Sequence, residues 1–172
     1  TAAVDVTLAD PAALDARTVA TADAVAIAQP QLLTRAQWDV LAAFVRRGGT
    51  LVLTPVGAER PQAWTAMLRE IFGAPWNCAL EATDLPAPVP FAAEQPGAAL
   101  LAAIAPELGQ LAPSVEASRI VRIDPATDAS AVQLALADGT PLLLAWRPTE
   151  SRGTVVVLTV AQDLAWTTLP LK

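Results

Sequence analysis

The chain has 172 residues, 53% of them hydrophobic and 16% charged, with a net charge of −6, one cysteine, no tyrosine and no histidine. That length suits one domain able to bury about two-thirds of its unfolded surface, and ten of the eleven bases are arginines dispersed along the chain, which excludes a basic nucleic-acid footprint. The missing histidine removes the usual proton-transfer group near neutral pH, the commonest metal ligand, and the base of every Ser-His or Cys-His nucleophile.

Val4 to Leu8 has the pattern of a short strand, followed by an Asp10-Pro11 turn. The run Asp23 to Ala28 is apolar at every position after the aspartate, which predicts a strand inside a parallel sheet covered by helices. Thr34 and Gln37 have capping-box spacing, and Leu33 and Trp38 are placed for a hydrophobic staple. The helix so begun carries Trp38, Leu41, Ala42 and Val45 on one face, sets Arg46 and Arg47 at the negative end of its dipole, and stops at Gly48-Gly49. A strand over Thr50 to Thr54 completes a strand-helix-strand unit.

Pro61 to Phe72 predicts a second helix, with Trp64, Met67, Leu68 and Ile71 on one face and Gly73 beyond its end. From Pro75 to Pro113 the prolines predict an irregular excursion from the sheet, with one short helix over Ala98 to Ala105 closed by Pro106. The remainder is β-rich: Ala117 to Ile123, Val132 to Ala137, an Asp138-Gly139 hairpin turn, Leu142 to Trp146, and Thr154 to Val160. The expected fold is a three-layer, flavodoxin-like α/β sandwich over residues 1–172. Its mixed sheet is mostly parallel and ends in an antiparallel hairpin. No stretch is long and apolar enough for a membrane helix, and the chain reads as a piece excised from a longer protein.

Ligands of open α/β sheets bind beyond the carboxyl ends of the strands, which directs attention to Thr54, Pro55, Val56 and Gly57. This turn has one glycine and no serine or cysteine, so it suits a structural turn better than an anion cradle. Cys78 is the only thiol, has no histidine to activate it, and fits a small apolar role. Asp163 is placed to cap a turn running through Trp166, and Trp166 itself either packs or marks a contact surface. Arg147 with Asp163 offers a second arrangement, a small-molecule site or carboxylate-dependent hydrolase near Pro55, because two carboxylates can do acid-base work without histidine.

Two blocks together carry a resemblance. Asp23 to Ala28, Leu33 to Gly49 with its ending Phe-Val-Arg-Arg-Gly-Gly, and Thr50 to Thr54 form the first; Gly139 to Leu144, Ser151 to Thr159 and the tail Asp163-Leu-Ala-Trp-Thr-Thr-Leu-Pro170 form the second. They resemble the class I glutamine amidotransferase-like fold of trehalose-utilisation-type and BatA-type bacterial membrane proteins, in which such a region lies between membrane helices, often beside a von Willebrand factor A domain. In active amidotransferases the strand matching Thr50 to Thr54 leads into a cysteine elbow completed by a histidine and a glutamate. Here the elbow reads Pro55-Val56-Gly57, histidine is absent, and Cys78 falls about twenty residues too late.

The resemblance therefore implies a catalytically degenerate domain: an interaction or sensing module of a membrane-anchored parent, its soluble domain periplasmic. No catalytic residue, cofactor or metal is expected. The expected partners are other domains of the parent chain or another protein. A plain architectural spacer is the third reading.

Overall fold

In the computed structural model, residues 5–55, 61–96, 99–126 and 128–168 are described. The chain is mixed α/β. Strands β1 (Ala24–Ile27), β2 (Thr50–Leu53), β5 (Val132–Ala135), β6 (Pro141–Trp146) and β7 (Thr154–Leu158) form a five-stranded sheet ordered β1-β2-β7-β6-β5, and β3 (Asn77–Pro90) pairs with β4 (Glu116–Asp124) in a separate antiparallel ribbon. Two of the four pairings in the larger sheet are parallel, β1 with β2 and β2 with β7; the other two are antiparallel. The sheet is thus evenly mixed, where a mostly parallel one was expected, because β7 returns beside β2 and carries β6 and β5 outward as a meander.

Helix α1 (Arg35–Arg47) begins as its sequence dictates. Gln37 Oε1 accepts the Thr34 N–H at 2.9 Å while Thr34 Oγ1 accepts the Gln37 N–H, so the capping box is closed in both directions. It ends at Gly48, whose φ of 121° is open only to glycine at low cost. Helix α2 (Gln62–Phe72) ends at Gly73 in the left-handed region, its N–H returning to Arg69 O. Both helices lie on one face of the sheet, where Trp38, Leu41, Phe44, Val45, Trp64, Leu68 and Phe72 pack with Leu51, Leu53, Leu144, Val155 and Val157. A second cluster joins the ribbon to the other end of the sheet through Leu85, Phe91, Ile120, Leu136, Leu142 and Leu158.

Four expectations are corrected. Residues 5–8 hold no regular structure, with Val6 and Leu8 exposed, since no strand neighbours them; Val4 lies outside the described residues. Ala24–Ile27 is an edge strand and not an interior one, its alanines exposed and its Val25 and Ile27 half-buried. The segment expected to be irregular contains the longest of the described strands, β3. Its Pro86 and Pro88 fall in the register shift between Asp84 and Val89, where no ladder donor is required. Finally, Pro106 sits in the first turn of α3 (Ala105–Leu111), where its missing N–H costs nothing, so it opens a helix after a 3₁₀ stretch at Ala99–Ile104 instead of closing one.

Candidate functional site

The two ends of the larger sheet differ in chemistry. At the carboxyl end of the parallel strands, Thr54 donates its N–H to Ile27 O at 3.1 Å, and both Thr54 and Pro55 are buried. Val56 and Gly57 lie outside the described residues. Beyond β7 the Thr159 hydroxyl, fully buried, turns back to Pro141 O and Leu142 O. Asp163 is exposed, and its carboxylate accepts the Ala165 N–H at 2.6 Å while its carbonyl accepts the N–H groups of Trp166 and Thr167. The aspartate is the cap of its own turn.

Trp166 is 2% exposed, so of the two alternatives it packs in the core. Its carbonyl accepts the Ser118 N–H at 2.8 Å, and Arg119 lies across its ring, which locks the tail against β4. Cys78 is half-buried on β3 opposite Ile123. Burial pushes its thiol above the ordinary value, against the opposing pull of the Arg69 charge and a Thr65 hydrogen bond, so the thiolate needed for nucleophilic attack is disfavoured.

At the opposite end, where β6 finishes and β7 starts, Asp128, Ser130, Ala145, Trp146, Arg147 and Thr154 line an open cleft of about 350 Å³. Thr154 pairs with Thr50, which places the cleft at the amino ends of the parallel strands β2 and β7. Ser130 Oγ donates to Asp128 Oδ1, a local contact two residues apart. Trp146 donates its indole N–H to Phe72 O at 3.0 Å and meets Trp76 edge-to-face with centroids 6.3 Å apart, so the ring orientation is fixed from behind. Arg147 is exposed and makes no ion pair with any described residue.

Arg147 and Asp163 therefore stand at opposite ends of β7 and form no common site near Pro55. Asp128 is the one acid among the residues lining the cleft, which is short of the paired carboxylates of hydrolytic acid-base chemistry. What the cleft offers is recognition: a cation, a hydroxyl-bound carboxylate and a fixed indole. The sequence singled out only Arg147 of this group, since Asp128, Ser130 and Thr154 are brought in by tertiary contact without a shared motif. Among the described residues no three His, Cys, Asp or Glu side chains converge on a metal-binding point.

No family model matches the chain. Nor does any curated protein. Among solved structures, the cytoplasmic protein STM1381 from Salmonella typhimurium LT2 is similar over 89% of this chain and 66% of its own, with TM-score 0.61 and 15% identity. That likeness concerns the fold. An exo-beta-1,4-mannosidase, Op5Man5, from Opitutaceae bacterium strain TAV5 matches with TM-score 0.49 and 19% identity over 80% of this chain and 20% of its own. A catalytic mutant of Gan42B, a GH42 beta-galactosidase from G. stearothermophilus, matches with TM-score 0.49 and 17% identity over 80% of this chain. This chain spans about a fifth of the length of either enzyme, 20% and 19%. No described helix is long and apolar enough to cross a membrane.

Proposed function

We propose that the chain is a non-catalytic, amidotransferase-like interaction or sensing module of a larger, membrane-anchored bacterial protein, acting on the periplasmic side through neighbouring domains of its parent or another protein. The observation that carries this reading is the state of the carboxyl end of the parallel strands. Thr54 and Pro55 are buried in packing, Asp163 is engaged in its own turn, and Trp166 is sealed beneath Arg119. We take the sheet as the middle layer of a three-layer, flavodoxin-like arrangement with α1 and α2 as one outer layer. The opposite face, with Val52 and Ala145 half-buried and Val156 buried, has the apolar character of a covered surface.

Ammonia release from glutamine tests the catalytic half of the reading. The purified chain is expected to release none above buffer; sustained release abolished by Cys78→Ser sinks the proposal. Docking is tested by mixing the chain with the separately expressed remainder of its parent, where co-elution at fixed stoichiometry is expected and independent elution counts against it.

A second reading, a small-molecule binding domain, is favoured by one observation: Arg147, without an ion pair among the described residues, shares a cleft with Trp146 and the Asp128-Ser130 pair. A thermal-shift series with sugars and nucleotides decides it. A rise in Tm that disappears in Arg147→Ala supports the binder, and flat curves at millimolar ligand remove it.

A further inference from the structure

The outer edge of β1 is short, four residues, but lacks the other protections that exposed edges normally carry. Asp23 O accepts the Thr50 N–H and Ile27 O accepts the Thr54 N–H, so the backbone groups of residues 23, 25 and 27 face β2. By the two-residue alternation of a strand, those of Ala24 and Ala26 face outward, and no described strand meets them. The run Ala24–Ile27 holds no proline and no charge, and its register with β2 is free of bulges. Proline, charge and bulges are the ordinary barriers to edge-to-edge pairing.

The same chain also holds a strand pattern without a sheet. Asp5-Val6-Thr7-Leu8 alternates polar and apolar, and leaves Val6 73% and Leu8 94% exposed. Its root is fixed. Asp10 caps the turn Pro11–Ala13, and Gln37 Nε2 on α1 donates to Pro11 O at 2.6 Å, so residues 5–8 form an arm leaving a held point. Edge and arm are each four residues long, and within one chain they do not pair.

We propose that they pair between chains: residues 5–8 of one copy add to the β1 edge of a second copy, and the reciprocal exchange closes a two-fold dimer. Both halves of the contact are carried by one sequence. A two-fold exchange satisfies both edges and both arms at once and leaves nothing to propagate. The net charge of −6 on each copy opposes association, so the dimer strengthens as salt screens that repulsion. This pairing uses neither end of the sheet and is independent of the function proposed above.

Sedimentation velocity of the 172-residue chain, from about 1 μM to 1 mM, is the test. A concentration-dependent monomer-dimer equilibrium is expected. Ala26→Pro, which deletes only an outward N–H and leaves the β2 ladder intact, is expected to weaken it tenfold or more. The double variant V6D/L8D, on an exposed arm whose change cannot unfold the core, is expected to do the same. A monomer at every concentration, a dimer indifferent to V6D/L8D, or assembly that grows past two copies overturns the proposal.

Discussion

The guanidinium carbon of Arg119 lies 5.3 Å from the centroid of the Trp166 ring, and Asp84 Oδ1 stands 3.5 Å from the Nε of the same arginine. That separation is long for a hydrogen bond, and Arg119 Nε is buried without a hydrogen-bond partner, so the aspartate contributes charge and not a directed bond. The arginine thus ties ribbon and tail together mainly through the indole face. Removing the indole empties a core position. Trp166→Ala is expected to cost about 3–5 kcal/mol in urea denaturation, whereas Arg119→Met, which keeps the stem and loses the cation, is expected to cost about 0.5–1 kcal/mol. A Trp166→Ala chain as stable as the parent would place this residue on the surface.

Gly153, just before β7, packs closely against the end of α1. Its N–H donates to Val45 O at 3.0 Å, and a Cβ there would lie 2.1 Å from Gly49 O and 2.5 Å from Val45 O, backbone atoms that cannot swing aside. Gly153→Ala is therefore expected to destabilise by about 3 kcal/mol or more, beyond the usual range for added volume. Gly139→Ala provides the contrast. Its φ is 84° but nothing stands within 4 Å, so only backbone strain of about 1–2 kcal/mol is expected. Equal losses for the two, by thermal or urea denaturation, would contradict the close approach.

These contrasts also show what the sequence exposed. Thr34 with Gln37, Gly48-Gly49 and Asp138-Gly139 act through bonds a few residues long, and each forms as its pattern requires; the Asp138 carboxylate accepts the Thr140 N–H at 2.9 Å. β3 was hidden because proline reads as a breaker, while the register shift between Asp84 and Val89 lets the strand contain Pro86 and Pro88. The edge position of β1 was hidden because Ala-Val-Ala-Ile reads alike inside a sheet or at its border. The cleft was hidden for a third reason: it exists only where the Asp128-Ser130 turn meets the end of β6, and no local spacing records that meeting.

The capping box carries a second duty that can be separated from the first. Thr34→Ala removes the hydroxyl that accepts the Gln37 N–H and is expected to cost about 1 kcal/mol. Gln37→Glu keeps an acceptor for the Thr34 N–H but loses the amide donor to Pro11 O. It is expected to leave α1 intact by circular dichroism while speeding proteolysis within residues 5–13. Protection unchanged in that segment would show that Gln37 does not hold it.

The composition isolates Cys78 for a pH experiment. With no tyrosine, no histidine and a single lysine, it is the one side chain whose ordinary pKa falls between about pH 8 and 10. Burial raises the folded-state value above the 9.0 of a free thiol, so the unfolded chain ionises first as the pH rises. The sign follows: the contribution is fully present below about pH 9 and is lost progressively above it. The urea midpoint is expected to fall between about pH 8 and pH 10, and to fall less in Cys78→Ala. Iodoacetamide should agree, alkylating the native thiol more slowly than the unfolded one at pH 9 and gaining rate only at higher pH. A native thiol that reacts as fast as a free one near neutral pH would reverse the order of the two pKa values, and would return Cys78 to consideration as a nucleophile.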